Sequence, residues 1–175
     1  MEIELKYLTT KETAEKLIPI GSPICREIEM YARYMDTPDL ALRKEHVSIR
    51  LRKENDKYIL TKKWGRGSEN GLHRRGEENT EVSADWSDPS LITICETKFT
   101  RWEYDVKIGE DTTAVMSYDE GEILASGRTE PISEIEIELK EGFEEDLVSF
   151  GRMLELKYGL IPSDKSKYSR GLALR

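Results

Sequence analysis

Apolar and polar residues alternate at the start of the chain. Ile3, Leu5 and Tyr7 fall on one face and Glu2, Glu4 and Lys6 on the other, the two-residue period of a strand over residues 1–8. A short helix is expected next: Thr9 and Glu12 fit a capping box, Ala14, Leu17 and Ile18 make an apolar stripe, and Pro19 helps to end it. Alternating and aromatic content predicts a strand over 26–36, closed by the turn Asp36-Thr37-Pro38. Residues 47–54 and 57–64 read as a hairpin around Asn55-Asp56, followed by a glycine-rich polar loop over 65–71 and a strand over 74–82. After a connector at 85–90, strands are expected at 94–107, 112–119 and 132–140, with Gly109 and Gly121 near the breaks. Phe143, Leu147, Phe150 and Leu154 recur at helical spacing, and Gly159 followed by Pro162 ends that helix. Mostly antiparallel strands with a few helices give an α+β fold, and with no linker or repeat array the chain reads as one domain, 1–175.

The polar faces of these strands carry charge. The sequence Glu-Ile-Glu-Leu-Lys occurs at residues 2–6 and again at 136–140. Arg50 and Arg52 share a face across Leu51, as do Thr61 and Lys63, and Arg75, Glu77, Asn79 and Glu81 obey the same rule. One such strand alone is an ordinary solvated sheet face. Several together suggest a sheet closed on itself, with charges lining a polar channel and Ile3, Leu5, Ile49, Leu51, Ile135, Ile137 and Leu139 facing outward under helices. An oligophosphate needs cations from many directions, and arginine suits bidentate phosphate contacts. Carboxylates in the same space make sense as ligands of divalent cations, which prefer oxygen donors.

Composition supports this picture. Charged residues make up 35% of the chain, above the roughly 25% usual in globular domains, while 37% hydrophobic content still supplies a core. The net charge of −8 argues against general attraction to nucleic acid. Cys25 and Cys95 form no CxxC pair and read as buried thiols in a reducing compartment. No apolar run approaches a membrane span or a secretory leader, so no membrane association is expected and the protein reads as cytoplasmic. His46 and His73 sit among charged neighbours and are expected at the surface. Trp64, Trp86 and Trp102 are expected to pack rather than stack on a ligand, and Lys62 and Lys140 to be solvated.

An ordered series of motifs resembles the CYTH domain of the triphosphate tunnel metalloenzymes. Glu2-Ile3-Glu4-Leu5-Lys6 is similar to the family's N-terminal ExExK signature, Tyr34-Met35-Asp36-Thr37-Pro38 to its Tyr-x-Asp-Thr-Pro stretch, Ser48 to Arg52 to its RxR strand, and Leu60-Thr61-Lys62-Lys63 to its Leu-Thr-x-Lys. Residues 97–101, 118–123 and 132–139 resemble segments of the inorganic triphosphatase branch, and Ser166 to Gly171 closes the set. Lys98 and Arg101 stand three apart where many members have Lys-x-Arg, so only Arg101 is expected on the inner face.

The resemblance implies an eight-stranded antiparallel β-barrel, a tunnel with a charged interior and flanking helices. It implies hydrolysis of the terminal phosphoanhydride of inorganic triphosphate with Mg²⁺ or Mn²⁺ as cofactor. Glu2, Glu4, Glu136, Glu138 and Asp119, with Glu134 as a further candidate, would be the metal carboxylates. Lys6, Arg50, Arg52, Lys63, Arg75, Arg101, Lys167 and Arg170 would bind phosphate, and Lys6, Glu4 and Glu138 would serve the catalytic step. Thiamine triphosphatase, nucleoside triphosphatase and class IV adenylate cyclase share such a tunnel and stand as alternatives, as does a noncatalytic polyphosphate-binding module. A charged β-scaffold without a ligand is the remaining reading. The expected partner is a small molecule bearing a triphosphate.

Overall fold

A computed structural model describes residues 1–175. In chain order the elements are β1 (Glu2–Leu8), α1 (Lys11–Leu17), β2 (Arg26–Asp36), α2 (Ala41–Lys44), β3 (Val47–Glu54), β4 (Lys57–Trp64), β5 (Ser68–Glu69), β6 (Leu72–Val82), β7 (Ile92–Lys107), β8 (Thr113–Ala125), β9 (Arg128–Glu141), α3 (Glu144–Tyr158), β10 (Ile161–Pro162) and α4 (Lys167–Leu174). Eight strands pair antiparallel in the order β1-β9-β8-β7-β2-β3-β4-β6, and β6 pairs back onto β1, closing the barrel. The two-residue strands β5 and β10 extend it at β6 and β1.

Closure fixes which side chains face inward. Outside, Leu5, Tyr7, Met116, Tyr118, Ile135 and Ile137 pack against Ala14 of α1, Ile18 at its C-terminal cap, and Leu147 and Leu154 of α3, forming the largest core. Each fully buried aliphatic side chain there contributes about 2 kcal/mol. The expected inversion therefore holds: aliphatic residues of β1 and β9 point out under helices, and their charged neighbours point in.

Inside, the barrel is charged on one side and apolar on the other. Ala32, Tyr34, Cys95, Ala125 and Tyr168 cluster with Leu172 and Leu174, and Ile123, Ile132, Phe99 and Met30 form a further apolar group beside them. Helix α4 lies against these inner faces and closes the tunnel there; a Cβ on its Gly171 would come within 2.4 Å of Cys95 Sγ. Ser166 caps the helix by accepting a hydrogen bond from the Ser169 amide.

Several boundaries differ from the sequence reading. Gly121 does not break a strand: β8 runs through it, because a Cβ at that position would lie 2.0 Å from the Lys98 carbonyl oxygen, and only glycine allows so close a crossing of β7. The turn falls instead at Ser126-Gly127, both with positive φ. The N-cap of α1 is Thr10, whose hydroxyl accepts from the Thr13 amide, one residue later than expected. Helix α4 carries too short an apolar stripe to stand out by periodicity. Cys25 is half-buried, whereas Cys95 is buried as expected. Trp102 stacks on Tyr118, but Trp64 is 43% exposed, with one edge of its ring against Gly76.

Candidate functional site

Strand register assembles the charged groups into one tunnel. In the β1–β9 pair Glu4 stands opposite Glu138 and Lys6 opposite Glu136. In the β1–β6 pair Glu2 stands opposite Arg75 and Glu4 opposite His73. Lys63 faces Glu77 across β4 and β6, and Arg50 faces Thr61 across β3 and β4. The resulting cavity spans about 860 Å³, open mouth included, and only 4 of its 21 lining residues are hydrophobic, so it favours a charged ligand.

Of the expected phosphate-binding residues, Lys6, Arg50, Arg52, Lys63, Arg75, Arg101 and Lys167 line the cavity, and so do the carboxylates Glu2, Glu4, Glu136 and Glu138. Arg170 does not: it pairs with Glu130 and Glu134 and donates to the Pro131 carbonyl at 2.7 Å. Asp119 and Glu134 are wholly buried behind the lining. Arg101 donates to both Asp119 oxygens at 2.7 Å and to Glu136 at 2.6 Å. Lys167 Nζ donates to Asp119 at 2.7 Å, to Glu136 at 3.1 Å and to Glu134. The oxygens of Asp119, Glu134 and Glu136 converge within 4.8 Å, close enough to hold a cation, and the Lys167 ammonium sits among them. Lys98 points away, its ammonium over the Tyr31 ring, as its spacing from Arg101 requires.

Electrostatics divide the carboxylates into two classes. Burial opposes ionisation of Glu134 and Glu136, yet Lys167 and Lys6 outweigh it and hold both below the usual range. Glu4 is 8% exposed and makes no hydrogen bond or ion pair, so Lys6, Lys63 and Lys167 act on it only from farther away. Its burial, with the nearby Glu136 charge, pushes its pKa up. Burial and the facing Glu77 raise Glu2 to about 8. Glu77, despite its own burial, is lowered to about 2 by the Glu2 carboxyl and Lys63. Lys63 donates to Glu2 at 2.8 Å and lies 3.3 Å from Glu77. Glu2 and Glu4, whose burial the nearby lysines do not fully offset, mark where an added cation would be most stabilised.

Sequence reasoning missed several lining residues. His73 is 2% exposed and not at the surface: β6 begins at Leu72, so His73 shares the inner parity of Arg75 and Glu77. Its Nε2 bonds the Ser163 carbonyl at 2.8 Å, and burial beside Lys6 lowers its pKa to about 4. Extending the alternation two residues upstream from Arg75 would have found it. Tyr34, Thr97, Ser166 and Tyr168 also line the cavity without a charge to flag them.

The sequence model of the CYTH domain matches residues 1–172. An inorganic triphosphatase from Haemophilus influenzae is 32% identical over 157 residues; the match covers 81% of this chain and 44% of that protein, so the chain spans less than half its length. Among solved structures, a candidate adenylyl cyclase from Hippeastrum, described as having a dominant triphosphatase activity, superposes with a TM-score of 0.74 at 19% identity, covering 99% of this chain and 96% of the other. A candidate adenylate cyclase from Bacillus halodurans gives 0.66 at 21% identity, covering 97% and 96%. These likenesses establish the fold.

Proposed function

Because the chain belongs to the CYTH domain family, we propose that it hydrolyses the terminal phosphoanhydride of inorganic triphosphate to phosphate and pyrophosphate. The observation that carries this reading is a single tunnel in which seven cationic side chains surround a buried carboxylate, Glu4, that forms an ion pair with none of them. The Haemophilus relative supports inorganic triphosphate as the substrate.

The donor set fits a divalent metal: oxygen donors from Glu2, Glu4, Glu136 and Glu138 face one cavity, and the buried Glu4, which forms no ion pair and whose ionisation the surrounding lysines do not fully offset, would be stabilised in its charged form by a bound cation. Mg²⁺ or Mn²⁺ held there would offset charge on the phosphate oxygens and lower the pKa of a bound water. Asp119, engaged by Arg101 and Lys167, acts on the site through those two cations.

Lys6, Arg50, Arg52, Lys63, Arg75, Arg101 and Lys167 hold the phosphate oxygens from several walls. Arg170 contributes through Glu134, which it helps to anchor. A water attacks the terminal phosphorus in line; the new P–O bond forms as the anhydride bond breaks, pyrophosphate leaves, and the water's proton passes to the products. Lys6 stabilises charge on the transferring group, while Glu4 and Glu138, opposed in the β1–β9 register, orient the attacking water. Positioning and charge stabilisation supply most of the acceleration in such chemistry. We place the reaction in the cytoplasm, where both free cysteines stay reduced; no helix is long and apolar enough to cross a membrane. The test is phosphate release from tripolyphosphate with Mg²⁺ or Mn²⁺, against ATP and thiamine triphosphate as competing substrates. Faster turnover of either competitor would displace inorganic triphosphate.

A further inference from the structure

Four polar atoms in tunnel-lining residues are buried without a hydrogen-bond partner in the protein: Arg50 Nε, one Glu77 oxygen, the Tyr168 hydroxyl and the Thr97 hydroxyl. Thr97 is 0% exposed, on the inner face of β7. In the register across three strands, Arg52 of β3, Ala32 of β2 and Thr97 of β7 form one row. Ala32 carries nothing beyond its Cβ, so the row has a long cation at one end, a hydroxyl at the other and depth between. Arg50 lies two residues from Arg52 on the same face, and Arg101 four residues from Thr97 on its own. Burial, with Arg50 and Arg101 nearby, lowers Arg52 to about 10, so like charges crowd this wall.

A buried hydroxyl with no partner is unfavourable, and a valine of the same shape would remove that penalty. The hydroxyl is balanced only when an acceptor enters the tunnel, and the surrounding guanidiniums select an anionic one.

We propose that Thr97 donates a hydrogen bond to a phosphoryl oxygen of the bound substrate, in a subsite floored by Ala32 and walled by Arg50, Arg52 and Arg101. This deepens, and rests on, the triphosphate reading above. An uncharged donor here adds affinity without adding to the crowded positive charge, and its contribution does not depend on ionic strength as those of the arginines do.

The experiment is calorimetric titration of tripolyphosphate into the wild type, Thr97→Val and Thr97→Ser in EDTA, with thermal unfolding of each ligand-free protein. Thr97→Val is expected to bind about tenfold more weakly with an unfolding midpoint equal to or above wild type. Thr97→Ser is expected to restore wild-type affinity, and the Val deficit to be the same at low and high salt. Equal binding by Thr97→Val overturns the inference alone. A midpoint that falls together with affinity overturns it too, because the hydroxyl is then structural. Failure of the wild type to bind tripolyphosphate overturns the triphosphate reading itself, and the subsite with it.

Discussion

Replacing Lys167 by methionine tests the claim that this ammonium neutralises the cluster of Asp119, Glu134 and Glu136. All four residues are buried, and Lys167 Nζ contacts all three carboxylates. The three acids face four cations, Lys167, Arg101, Arg170 and, 3.8 Å from Glu136, Lys6. Methionine keeps the length of the side chain and removes the one cation that contacts all three buried acids. Breaking a buried pair from one side costs about 3–5 kcal/mol. For a chain of 175 residues, at about 2–4 °C per kcal/mol, the midpoint should fall by about 10 °C. The measurement is thermal unfolding in EDTA, repeated over pH. Lys167 and Lys6 hold Glu134 and Glu136 below their usual values. In the wild type their contribution is therefore present above the unfolded value of 4.5 and is lost as pH falls through the folded values. The variant lacks much of that contribution, so the gap between the two proteins should be widest near neutral pH and close as pH falls below about 4.5. Adding Glu134→Gln should recover part of the loss. A fall of less than about 2 °C at neutral pH, or a gap independent of pH, would refute the reasoning.

Glu4→Gln and Glu138→Gln should each abolish phosphate release while leaving much of the tripolyphosphate binding seen by calorimetry. Unchanged turnover in both would remove these carboxylates from the mechanism. Glu2, raised to about 8, is protonated at pH 7 and must lose that proton to ligate a metal. Mg²⁺ affinity should therefore rise with pH toward about 8, with protons released at pH 7 from Glu2 and from the likewise raised Glu4, measured as buffer-dependent binding heat. A flat profile contradicts it. His73, lowered to about 4, stays neutral in the fold but gains a proton when unfolded below about 6.5. Its effect is thus a loss of stability as pH falls from about 6.5 to about 4, at most about 3 kcal/mol. His73→Gln should show a shallower acid decline in unfolding titrations without added metal; an identical decline would show that other groups cause it.

The barrel was legible because its faces alternate. Glu2, Glu4 and Lys6 against Ile3, Leu5 and Tyr7, and Arg50 and Arg52 against Ile49 and Leu51, fix orientation with a period of two, and closure brings these faces together. Spacing also put Arg101 inside and Lys98 outside. What alternation could not give was the partner of each charge. Asp119, Glu134, Lys167 and Arg170 lie on three elements, and only the path of α4 decides that they neutralise one another. The strand through Gly121 was hidden because glycine usually signals a break, whereas here it permits a close crossing. His73 and Thr97 escaped for a related reason: one lies upstream of the strand's expected start, and the other carries no charge.

Phosphate release from tripolyphosphate, followed with the purified chain in Mg²⁺, in Mn²⁺ and in EDTA, tests the central claim most directly. The tunnel predicts turnover with at least one of the two metals, none in EDTA, and equal amounts of phosphate and pyrophosphate as first products. Metal-independent release, or no release with either metal from neutral to alkaline pH, would contradict it.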